Sequence, residues 1–126
     1  MTEIEAIELS RAYVALSNTH RVELILPMFS STAVYNSSAV GEFVGPDKIG
    51  EMMKGFFTNY PDVFWLAENY RYDNNRVTFD FSLQANAAAT GEHLQRQGIE
   101  RIEFDENGLI KKLEVKTSQV IASPDL

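Results

Sequence analysis

Two side chains in this 126-residue chain combine acid–base capability with a pattern that would bury them. In GIERIEF, residues 98–104, strand alternation puts Glu100, Ile102 and Phe104 on one face and Arg101 and Glu103 on the other. The Glu100 face is expected to point inward. A carboxyl group there is desolvated, which pushes its pKa up and favours a hydrogen-bond donor near neutral pH. A buried arginine beside it would instead hold it charged, in a structural role. Tyr13 falls at helical spacing with Ala6, Leu9 and Leu16 and so also points inward, either as a donor or as a core tyrosine with its hydroxyl satisfied. In VYNSS, residues 34–38, the neutral groups of Asn36 and Ser37 stand in a strand, and neither can take up a proton near neutral pH. His93 has the right titration range, but parity with Arg101 turns it outward unless Gly91 or Gly98 marks a bulge. His20, between two helical segments, reads as a capping or surface residue.

With no cysteine, disulfides, thiolate nucleophiles and cysteine-ligated metals are removed together. The two histidines leave only carboxylates as further ligands, and no two carboxylates sit beside a histidine at ligand spacing, so no metal is expected. No cofactor is expected either.

These side chains need elements to hold them. A helix is expected from about Glu3 to Asn18, with Glu3, Glu5 and Glu8 near the positive end of its dipole. Asn18 and Thr19 would stop it and cap a short second helix, limited by Pro27. A strand from about Thr32 to Ser38 and a short extended piece at Glu42–Val44 follow. Pro46 and Asp47 open a third helix. That helix has the clearest period in the chain, with Ile49, Met52, Met53, Phe56, Phe57 and Tyr60 on one face, and Pro61 ends it. It is expected to fill the concave side of a sheet, with the two methionines as gap-filling packing.

Beyond Asp62 four extended segments are divided by turn signals. RVTFDFSLQANA alternates strictly, with Val77, Phe79, Phe81, Leu83 and Ala85 on one face and Asp80 on the other. The aromatics Tyr35, Trp65, Phe79 and Phe81 are strand residues, some of which would line a pocket. Three helices and then an antiparallel meander, each strand with one apolar face, describe an α+β domain whose curved sheet wraps around the helices. The length fits one domain, residues 1–126.

Composition narrows the partners. The net charge of -7 and a pI of about 4.7 oppose a phosphate backbone, so neither nucleic acid nor an anionic membrane is expected. No apolar run reaches the ~20 residues of a membrane span. The acidic start lacks the pattern of an export signal, and a cytoplasmic location is expected.

The pieces AYVALSN, LPMFSSTAVYNSS, GEFVGPDKIGEMMKGFF and GIERIEFDENGLIKKLEV, in this order, resemble the nuclear transport factor 2-like (NTF2-like) superfamily, within it the SnoaL-like and ketosteroid isomerase-like branch. The resemblance spans nearly the whole chain, and its motifs are structural. It implies a cone-shaped barrel, a homodimer through the outer face of the sheet, and a pocket at the open end. Its members include steroid isomerases, polyketide cyclases, dehydratases, epoxide hydrolases and non-catalytic binding modules, so the fold does not choose a reaction. By this resemblance Tyr13 takes the place of the tyrosine donor and Glu100 that of the protonated acid of an oxyanion hole. The position of the strand base falls on Ser37, or on Asn36 after a slip of one. The Asp-Arg-Asp cluster of the epoxide hydrolases lacks support, because Asp80 faces away from the core phenylalanines.

The expected function is binding of a small, largely apolar molecule with a polar end. The expected pocket holds Tyr13, Tyr35, Asn36, Ser37, Phe57, Trp65, Phe81 and Glu100, with His93 as a further candidate. Catalysis would be isomerase, cyclase or lyase chemistry with Tyr13 as donor and Glu100 as acid or base. The competing class is a non-catalytic small-molecule or protein-interaction module.

Overall fold

A computed structural model describes residues 1–118. Residues 119–126, which the single-domain expectation includes, lie outside the described residues. The elements are α1 (Glu3–Ser17), α2 (Val22–Ile25), a 3₁₀ turn (Leu26–Met28), β1 (Phe29–Ser37), β2 (Gly41–Val44), α3 (Pro46–Asn59), β3 (Phe64–Asp73), β4 (Arg76–Asn86), β5 (His93–Phe104) and β6 (Ile110–Thr117).

Helix α1 starts with a capping box: Thr2 Oγ1 accepts from the Glu5 amide at 3.1 Å, and the Thr2 amide donates to Glu5 Oε1 at 2.8 Å. Its most buried line is Ala6, Ser10, Tyr13 and Ser17, not the expected line through Leu9 and Leu16, which are half-buried. Ser10 and Ser17 can be buried because each hydroxyl donates to the carbonyl four residues back, Ala6 O at 2.9 Å and Tyr13 O at 2.8 Å. Small side chains on this line bring the helix close to the sheet.

The second helix is capped at Arg21, two residues later than expected, and lasts one turn before Pro27 tightens it into the 3₁₀ turn. Strand β1 therefore begins at Phe29, ahead of the expected Thr32. Gly45 supplies the positive φ of +87° from which Pro46 starts α3.

The six strands form one curved sheet in the order β2-β1-β6-β5-β4-β3. It is mixed: β1 and β6 run parallel, which closes the chain's first strand onto its last, and the other pairs are antiparallel. Helix α1 packs on β3 and β4, and α3 on β1 and β2, so the two helices share the concave face around which the sheet wraps. Phe79, Ile102, Ile110, Leu113, Ile25 and Ile49 are fully enclosed between these layers, each adding roughly 1.5–3 kcal/mol of apolar burial. The β4–β5 register sets Phe79 opposite Glu100, Phe81 opposite Gly98 and Leu83 opposite Arg96, which brings their side chains to one face.

Candidate functional site

Between α1, α3 and the concave face lies a cavity of about 60 Å³, bordered by Tyr13 and Ser17 of α1, Tyr35 and Ser37 of β1, and Met52, Met53, Phe56 and Phe57 of α3. The sheet completes it with Trp65, Phe81, Leu83, Arg96, Glu100 and Val115. Ala39 and Val40, exposed in the β1–β2 turn, form part of its mouth with Thr117.

Each wall has a local cause. Trp65 is fixed by Asn18, the cap of α1: its amide nitrogen donates to Trp65 O at 3.0 Å and its Oδ1 accepts from the Trp65 amide at 2.8 Å. His20 also belongs to this joint: its amide donates to Ser17 O at 3.1 Å at the end of α1, in keeping with a capping role, while its side chain turns inward. It is half-buried, its Nε2 lies 2.6 Å from Val63 O, and its ring stacks on Phe57 at 4.9 Å. Phe57 meets Trp65 edge-on at 6.2 Å, and Phe56 lies 6.0 Å from the same ring. On the opposite side the Ser37 hydroxyl accepts from the Ala39 amide at 3.1 Å, holding the turn at the mouth.

The electrostatic centre is Glu100. It is 5% exposed, and no cation lies within 4.0 Å of its carboxylate among the described residues. Among those residues Ser30 Oγ is the one fully enclosed side-chain polar atom without a partner, so the Glu100 oxygens are not sealed off and open onto the cavity. Burial alone pushes its carboxyl up to about 8. Tyr13 is raised well above the ordinary phenol range by burial first, then by Tyr35 and Glu100. Burial likewise raises Tyr35, assisted by Glu100 and opposed by the positive charge of Arg96. Near neutral pH the site thus holds two neutral phenols and a neutral carboxylic acid. Each is a hydrogen-bond donor, and they share one water-poor space.

The structure brings together Tyr13, Tyr35, Ser37, Phe57, Trp65, Phe81 and Glu100. Asn36 is not among them: alternation along β1 turns it to the outer face, where its amide reaches Glu42 at 3.4 Å. His93 also stays outside, exposed and 3.2 Å from Asn86 Oδ1, since no bulge interrupts the β4–β5 pairing at His93. Asp80 is on the outer face as expected, paired with Arg71 at 3.2 Å. Arg96 and Ser17 escaped the sequence reading. Arg96 has the parity of Glu100 on β5, which is the signal that would have found it; Ser17 carries no apolar signal.

A curved mixed sheet wrapped on three helices, with a cavity between them, defines the NTF2-like class of α+β cone folds. Within it the chain belongs to the SnoaL-like domain family, which matches residues 10–113. Among solved structures, it is similar to the epoxide hydrolase/cyclase-like enzyme SalBIII of pyran ring formation in polyether salinomycin, at TM-score 0.83 and 15% identity over 93% of each chain. AclR, a proposed hydroxylase from Streptomyces galilaeus, aligns at TM-score 0.77 and 19% identity over 90% of this chain and 88% of its own. An NTF2-like protein of unknown function from Exiguobacterium sp. 255-15 aligns at 0.79 and 13%, over 89% and 99%. At these identities the likeness carries the fold. No curated protein is significantly similar in sequence. Among the described residues no helix is long and apolar enough to cross a membrane.

Proposed function

We propose that this SnoaL-like domain binds a small, largely apolar molecule in the cone cavity and presents Glu100, Tyr13 and Tyr35 to an oxygen at its polar end. The observation that carries this is a buried carboxyl group, without a cationic partner among the described residues, facing a cavity whose other walls are mainly aromatic and aliphatic. Glu100, protonated near neutral pH, acts as an acid, and Tyr13 beside it stabilises charge developing on the same oxygen. The chemistry that fits is isomerase, cyclase or lyase-type proton transfer without a cofactor. It departs from the ketosteroid isomerase scheme at Ser37, on which the resemblance puts the strand base and which borders the cavity without being able to take up a proton.

That substitution favours a second reading, a non-catalytic binding module. Both readings need the cavity to admit a ligand. At about 60 Å³ it has room for a few waters, each needing about 10–15 Å³, so a ring-sized molecule enters by displacing Met52, Met53 or Phe56 from the α3 wall.

Native mass spectrometry after incubation with the small-molecule fraction of a cell extract tests the proposal. Wild type should retain a ligand mass that Val40→Trp, which plugs the exposed mouth, does not. Retention of nothing by wild type, or equal retention by both, would overturn it. A retained ligand returned chemically unchanged favours the binding module.

A further inference from the structure

Arg96 has no evident structural employment. The chain carries 18 acidic residues against 11 basic ones, yet among the described residues none of the acids pairs with Arg96. Its side chain is half-buried and borders the cavity, where it is the single basic group in the lining. Arginine on a strand ordinarily carries its head to open solvent or to a carboxylate; here it lies along the cavity wall.

Its position relative to the acid is also defined. Arg96 and Glu100 lie on the same face of β5 four residues apart, a Cα separation of roughly 13 Å at strand rise. Gly98 stands between them without a side chain, opposite Phe81. Tyr35 also borders the cavity and feels both groups, its phenol raised by Glu100 and lowered by Arg96. The cavity is therefore bordered by an acid donor and, four residues away on the same face of β5, by an arginine without an acidic partner among the described residues, with mainly aromatic and aliphatic side chains completing its walls.

We propose that Arg96 is a carboxylate subsite, so that the small apolar molecule bound in the cone cavity carries an anionic carboxylate at the end remote from Glu100. This rests on the ligand-binding reading above and gives it a substrate class: apolar carboxylic acids bearing a carbonyl or hydroxyl at the other end. A planar guanidinium matches a carboxylate with two parallel hydrogen bonds, which strengthen where water is scarce. The protein's overall negative charge repels anions at long range, so the selection is local to this site.

Trp65 is the sole tryptophan of the chain and lines the cavity, so its fluorescence reads occupancy directly. The probes are matched pairs of acid and amide: benzoate with benzamide, phenylacetate with phenylacetamide, 3-phenylpropionate with 3-phenylpropanamide. In the wild type the acids should bind about tenfold or more tighter than their amides. Arg96→Gln should abolish that preference while leaving amide affinity within about twofold, and Arg96→Lys should keep part of it. Lys preserves the charge, so it also serves if the Gln variant fails to fold. Amides that bind as well as acids to wild type, or a preference that survives Arg96→Gln, would overturn the carboxylate subsite and leave the ligand-binding reading standing. Failure of every probe to change Trp65 emission would overturn both.

Discussion

Glu100 is 5% exposed and has no cation within 4.0 Å among the described residues, so burial favours its neutral form and makes stability depend on pH in a direction opposite to that of most carboxylates. Its ordinary value of 4.5 applies to the unfolded chain, and the folded chain holds it at about 8. Between those values the folded state keeps a proton that the unfolded state has released. The Glu100 contribution is therefore complete below about 4.5 and is lost as pH rises to about 8, at up to about 1.4 kcal/mol per unit. Glu100→Gln, neutral and of similar shape, should remove that slope. In urea titrations across the window, wild type should lose stability relative to the variant as pH rises; parallel profiles would mean that Glu100 is charged in the fold. Tyr13 and Glu100 were legible in the sequence because each sits in a strictly periodic segment with large apolar neighbours. Arg96 obeys the same alternation, but a guanidinium on an inward face is usually expected to reach back to solvent. Asn36 was misplaced because a one-residue shift along β1 exchanges its two faces, and the register that decides it is set by the distant strand β6.

Strands and helices position this site through few contacts, and two of them invite direct tests. Asn18 ties the end of α1 to both backbone groups of Trp65, so Asn18→Ala should cost about 1–3 kcal/mol. It should also shift Trp65 emission toward that of a solvated indole, readable in one equilibrium unfolding experiment. Unchanged emission would show that Phe56 and Phe57 hold the ring unaided. At Gly98, a Cβ would collide with the Lys116 carbonyl oxygen where β5 and β6 approach closely. Gly98→Ala should accordingly destabilise by several kcal/mol, whereas Gly55→Ala, in open space on α3, should be neutral or stabilising. Thermal unfolding that ranks them otherwise would contradict this account of the close β5–β6 approach. Most elements were readable from period and turn residues. The parallel β1–β6 pairing was not, because nothing local in either strand names a partner some 80 residues away. Buried Ser10 and Ser17 were hidden for a related reason: their hydroxyls are satisfied within the helix, so a polar letter stands at a core position.

At the scale of the whole molecule, the outer face of the sheet carries Phe64 and Leu66 on β3, 53% and 62% exposed, alongside a shallow groove that extends across Ile99 of β5. Apolar side chains of that size on a sheet face support pairing of two copies through it. Light scattering coupled to size exclusion should find a dimer that Leu66→Glu shifts toward monomer; a monomeric wild type would remove the homodimer from the account. The cavity lies on the opposite face, so the ligand retention expected of wild type should survive that variant. All functional readings meet in one claim, that a protonated Glu100 faces the cavity at neutral pH. The direct measurement is the side-chain carboxyl ¹³C titration of Glu100, assigned by its loss in Glu100→Gln. A midpoint near 8 is the expected result, and a midpoint near the ordinary 4.5 would contradict the account.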